Sequence, residues 1–144
     1  MIPPVYDTVI RNGILGDSLG HAEGDIAIVN GRIAATGLNL PKGNTEIDAR
    51  GRMVLPGGVD THCHIEQMSG AGVMNADTFE TGTRSALHGG TTTTVSFAAQ
   101  HPGMRIRDVL ADYSKLAAAG AMTDYAFHMI VADTSGENVS DLKA

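Results

Sequence analysis

From Gly57 onward two periodicities alternate along the chain, and this alternation limits the possible folds more than any other feature. "GGVDTHCHI", "TTTTVSFAA" and "DYAFHMIVA" read as strands. Two helices separate them. In "DTFETGTRSALHGG", Asp77 is the expected N-cap with Glu80 three residues on, and Gly89 stands where a left-handed residue ends a helix. In "IRDVLADYSKLAAAG", Ile106, Val109, Leu110, Tyr113, Leu116 and Ala117 recur at helical spacing, and Gly120 closes the run. "NVSDLKA" begins a further helix. Strands joined through helices lie parallel, so residues 57–144 are expected to form an α/β arrangement of about three βα units. A closed barrel of eight such units needs about 250 residues. The chain has 144, and it therefore reads as the N-terminal piece of a longer protein.

Residues 1–56 follow a different rhythm of short strands and turns. "YDTVIRNG" alternates and is expected to turn at Asn12-Gly13. Asp25 to Val29 and Arg32 to Thr36 flank Asn30-Gly31, a strong hairpin signal. "TEIDARGRMVLPGG" supplies two more short strands around Gly51. Their single apolar face requires a second layer.

The chemistry concentrates in "LPGGVDTHCHIEQ", residues 55–67. On a regular strand Asp60, His62 and His64 project to one face, while Thr61, Cys63 and Ile65 project to the other. Two imidazoles converging at the end of the first βα strand make half of a site for a borderline cation such as zinc. The alternative is that both histidines are satisfied polar residues near a turn. Asp60 is expected to orient the site through a hydrogen bond instead of binding metal directly.

"PGGVDTHCHIEQ" resembles the P-G-x-x-D-x-H-x-H signature of the amidohydrolase superfamily. "ADTFETGTRSALHGGTTTTVSF" and "DYAFHM" are similar to its cyclic amidohydrolases, the hydantoinase and dihydropyrimidinase group. The resemblance covers essentially the whole chain. It implies a (β/α)8 barrel beginning at residue 57, preceded by strands of a small β-sandwich in residues 1–56, both incomplete here. It also implies that His62 and His64 bind the more buried ion of a binuclear zinc centre. A carboxylated lysine, two further histidines and a catalytic aspartate would come from later strands, so no catalytic residue is expected within this chain. Lys143 falls at a helix start and not at a strand end, so the bridging lysine is expected beyond residue 144. The implied reaction is hydrolysis of a ring amide, with the metals polarising the carbonyl and activating water.

Within that resemblance, the dihydroorotase branch carries a substrate-binding arginine two residues after the second histidine. Glu66 stands there and fits the hydantoinase pattern better. The loop Glu66 to Ala76 corresponds to part of a substrate lid, where Gln67 could hydrogen-bond a ligand and Met68 or Met74 could give apolar contact. On the second strand, Val95 and Phe97 are expected to face the helices, which would send Ser96, Ala98 and Gln100 inward, with Gln100 at the mouth as a second possible substrate contact. On the third, Phe127 and Met129 should face outward and His128 inward, as a buried, hydrogen-bonded structural residue. His21, His88 and His101 carry no comparable signal.

Composition narrows the partners. Ten basic residues are scattered under a net charge of −6, which offers nucleic acid no basic patch. One cysteine allows no intrachain disulfide, in keeping with a cytoplasmic location. No apolar run approaches the roughly 20 residues that span a bilayer, and the N-terminus lacks a signal peptide's apolar core. The expected partner is a small cyclic amide, with homo-oligomerisation (dimer or tetramer) of the complete protein. The other reading is a non-catalytic, dihydropyrimidinase-like assembly protein. Such relatives tend to lose the metal histidines, and the retention of His62 and His64 favours the enzyme.

Overall fold

The computed structural model describes residues 6–142, and the chain divides into two compact units, Met1–Pro56 and Gly57–Ala144. Lys143 lies outside the described residues.

The first unit is one five-stranded sheet: β1 (Tyr6–Asp17), β2 (Gly20–Val29), β3 (Arg32–Gly37), β4 (Gly43–Asp48) and β5 (Met53–Val54). The order is β3-β2-β1-β4, with β5 also paired to β1. The β2–β3 hairpin turns at Asn30-Gly31, both with positive φ, as the dipeptide predicts. Asn12-Gly13 behaves differently. β1 runs through it to Asp17, with Asn12 at φ 54° and the register shifted between Ile10 and Gly13. The dipeptide therefore makes a bulge, not a turn. The reason is the buried carboxylate of Asp25, which accepts the Asn12 N–H at 3.1 Å and ties the kinked strand to β2. Tyr6, Val9 and Ala27 form this unit's core, with Val29, Ala35 and Leu40 packed on it. Ile33, Ile47, Met53 and Leu55 stay at least half exposed, so much of the sheet's apolar surface is uncovered.

The second unit is a parallel sheet in the order β6-β7-β8: β6 (Gly58–Cys63), β7 (Thr91–Ala99) and β8 (Asp124–Ile130). Helix α1 (Phe79–His88) connects β6 to β7, α2 (Ile106–Gly120) connects β7 to β8, and the short α3 (Asn138–Asp141) follows. The expected α/β class is what is found. Two details differ at α1. Its N-cap is Thr78, not Asp77, because the Thr78 and Thr81 hydroxyls each accept the other's backbone N–H. That leaves Asp77 to accept the Thr81 hydroxyl and Glu80 to pair with Arg84. At the other end Gly89 is right-handed and Gly90 takes the left-handed conformation, φ 85°.

Ile65, Phe79 and Ala117 make the core between sheet and helices, with Cys63, Tyr113, Ala121 and Phe127 packed against it. Gly57 is required by close approach. A Cβ there would lie 2.0 Å from the Thr92 hydroxyl oxygen. No helix among the described residues is long and apolar enough to cross a membrane.

Candidate functional site

In a parallel sheet, residues paired across strands share a face. Cys63 pairs with Ser96, and Ser96 with Phe127. Cys63 and Phe127 pack against the helical core, so Ser96 faces the helices too, with Ala98 beside it, and both are fully buried. Ser96 Oγ accepts the Ile65 N–H at 3.2 Å in this layer. The expected phase of β7 is therefore reversed: Phe97 belongs to the opposite, open face, paired with His128.

Four rings gather on that open face. The His62 and His64 centroids are 5.6 Å apart. Phe97 lies 4.6 Å from His62 and 4.9 Å from His64, stacked on the latter at 13°. His128 flanks Phe97 at 5.1 Å, and its Nε2 donates to the Thr61 carbonyl at 3.2 Å. His128 is thus hydrogen-bonded as expected, but exposed instead of buried, because nothing among the described residues covers this face.

Asp60 is less regular than the alternation predicts. From Asp60 to Cys63 β6 advances three positions while β7 advances two, from Thr94 to Ser96. The strand bulges within the stretch from Asp60 to Cys63, which breaks the regular alternation that would put the acid in phase with the histidines. The Asp60 carboxylate accepts the backbone N–H of His62 at 3.0 Å and supports the bulge itself. On the other face, burial pushes the Cys63 thiol up, the Asp60 charge adds to this, and a hydrogen bond with Ser96 opposes it. Cys63 packs against the core between sheet and helices, on the face away from the two imidazoles.

The two glutamines have partners the sequence did not disclose. Gln100 is buried: its Nε2 donates to the Met104 carbonyl and its Oε1 accepts from the N–H groups of Ala132 and Asp133. The amide clasps the loops after β7 and β8, which replaces the expected substrate contact. Gln67 Oε1 lies 2.5 Å from His64 Nδ1. Glu66, with φ 51°, turns its carboxylate to the N-terminus of α1 and accepts the Phe79 N–H at 2.9 Å. No signal short of the tertiary fold marked Phe97, which the alternation had sent to the helices.

Chemically, the site offers two imidazoles on an open sheet face beside a shallow cleft of about 340 Å³ lined by His64, Gln67, Ser69, Val73, Met74 and Asn75. A catalytic zinc takes three protein ligands and keeps one position open. Among the described residues no third His, Cys, Asp or Glu completes such a group. The two imidazoles are donors of the kind a divalent metal takes, and such an ion would need further ligands beside them.

Residues 53–140 match the sequence profile of the amidohydrolase family. The chain belongs to the amidohydrolase family. Its similarity within the family is to the cyclic amidohydrolases, as the stretches after the His62 signature, residues 76–97 and 124–129, led one to expect. A D-hydantoinase of Streptomyces coelicolor is 43% identical over 141 residues, 94% of this chain and 30% of that protein. A D-hydantoinase of Rhizobium radiobacter is 37% identical over 95% of the chain and 30% of its own length. Among solved structures, a D-hydantoinase superposes with a TM-score of 0.89 at 36% identity, covering 96% of this chain and 30% of the other. The amidohydrolase chain thus spans about 30% of the length of the curated relatives it matches.

Proposed function

We propose that the protein carrying this chain is a metal-dependent hydrolase that opens the ring amide C–N bond of hydantoins, dihydropyrimidines or related cyclic imides. One observation carries the reading: His62 and His64 stand side by side at the carboxyl end of the first of three parallel strands, where α/β enzymes place their chemistry. The extensive likeness to D-hydantoinases supports the substrate class. In this reading the three βα units open a (β/α)8 barrel, and the two histidines hold one ion, zinc by choice of donor, of a binuclear centre completed from outside the chain. The bound metals supply polarisation of the ring carbonyl and a hydrolytic water at neutral pH.

The chain's own residues prepare that site. Phe97 packs both imidazoles from one side and excludes water there. Asp60 holds the bulge that carries His62 to the open face. Glu66 stands where the dihydroorotase branch carries its substrate-binding arginine and is committed to α1, so dihydroorotate is not the expected substrate. The acid–base group belongs to no residue of this chain. A homo-oligomeric, cytoplasmic enzyme completes the proposal, the location resting on the single, half-buried cysteine.

Metal analysis of the full-length protein, with His62→Ala and His64→Ala in parallel, tests the reading. Both variants should lose metal and ring-opening of hydantoin and dihydrouracil together. Parent-level metal in both, or dihydroorotate turned over faster than any hydantoin or dihydropyrimidine, would overturn it.

A further inference from the structure

We propose that Gln67 is a positioning residue that selects the ring tautomer of His64, and that the loop closed by Asn75 holds it in place. The inference rests on the metal-ligand reading of His64 and adds a residue that the reading does not require. An amide oxygen only accepts hydrogen bonds, so the 2.5 Å contact between Gln67 Oε1 and His64 Nδ1 places the ring proton on Nδ1. The lone pair then resides on Nε2, the nitrogen left for a cation. Rotated by half a turn, the same amide would donate to Nδ1 and leave the proton on Nε2, where no metal could bind.

The loop holds the Gln67 backbone beside the ring. The Gln67 N–H donates to Asn75 Oδ1 at 2.7 Å, the Asn75 N–H donates to the Gln67 carbonyl at 3.0 Å, and Asn75 Nδ2 donates to the His64 carbonyl at 2.6 Å. Met68 and Met74 pair just beyond, and the Ser69 N–H donates to the Val73 carbonyl at 2.8 Å. Gln67 is therefore clamped through its backbone while its side chain reaches the ring. Phe97, stacked on the other side, fixes the ring plane. Plane and tautomer are set by different residues from different elements. A glutamine oxygen engaged in this way is not available to a substrate.

The test uses the full-length protein with Gln67→Leu, Gln67→Glu and His64→Ala. Metal affinity is read by competition with a chromophoric zinc chelator, and the tautomer by nitrogen-15 spectra of the imidazoles after metal removal. Gln67→Leu should weaken zinc binding by about 10–100-fold and shift His64 away from the Nδ1–H form. Gln67→Glu still presents an acceptor and should keep both near the parent. Asn75→Ser, which loosens the clamp without touching the ring, should shift both in the same direction by less, and it decides the matter if Gln67→Leu does not fold. Parent-like zinc affinity in Gln67→Leu, beside a His64→Ala variant that has lost it, would overturn the positioning role alone. So would a Gln67→Leu variant with raised KM and unchanged metal affinity, which would make Gln67 a substrate contact. Parent-like affinity in His64→Ala would defeat the metal-ligand reading and this inference together.

Discussion

The Asp25 carboxylate shows how one residue organises its surroundings. Burial alone would raise its pKa, but the Asn12 N–H, the Arg11 guanidinium and the Leu40 N–H outweigh that and hold it below the ordinary carboxylate range. A depressed folded-state pKa stabilises the fold above the unfolded value of about 3.9, and the contribution is lost as pH falls through the folded value. Asp25→Asn should therefore melt well below the parent at neutral pH, and the gap should narrow as pH drops to about 3. Thermal unfolding of the full-length protein across that range checks this, and a gap independent of pH would refute it. The sequence hinted at none of it, since Asp25 meets its partners 13 to 15 residues away. Gln67 and Gln100 teach the same lesson. Each was recognisable as a polar residue near the mouth of a strand, but its partner is a matter of folded geometry.

Among the elements, β6 depends on a close approach at its start and a bulge near its end. Gly57 precedes it, and a Cβ at that position would lie 2.0 Å from Thr92 Oγ1 and 2.7 Å from Thr92 Cβ. Moving a flexible tip cannot relieve the second clash. Gly57→Ala should cost about 1–3 kcal/mol, the usual range for overpacking. Adding Thr92→Gly should recover much of that loss, although Thr92→Gly alone destabilises a strand. Denaturant unfolding of the four proteins of the double-mutant cycle measures this coupling. Strict additivity would show that the two residues do not meet. The sequence marked Gly57 as the point where the periodicity changes, whereas the packing that demands a glycine there was not legible.

At the scale of the molecule, two features remain open among the described residues. β8 pairs on one side only, and the first unit leaves Ile33, Ile47, Met53 and Leu55 exposed. An unpaired edge and an uncovered apolar face both favour association. Residues 1–144 expressed alone should self-associate and show no hydrolysis of a cyclic amide even with added zinc. Light scattering after size exclusion, together with a ring-opening assay, tests this. A monomer that unfolds cooperatively and hydrolyses hydantoin would contradict it.

The sequence by itself determined the succession of elements, because strand and helix periodicities are local properties. β7 at Thr91–Ala99 and α2 at Ile106–Gly120 coincide with the stretches read from the pattern. It also brought His62 and His64 together, since residues two apart near a strand end are neighbours in almost any fold. Tertiary structure alone decided which face of β7 looks inward. A period-two pattern reads equally well with its faces exchanged, and only the register Cys63–Ser96–Phe127 removes that symmetry and sends Phe97 to the histidines. Tertiary structure likewise turned Asn12-Gly13 into a bulge and placed another between Asp60 and Cys63, because a bulge depends on the neighbouring strand as much as on its own residues.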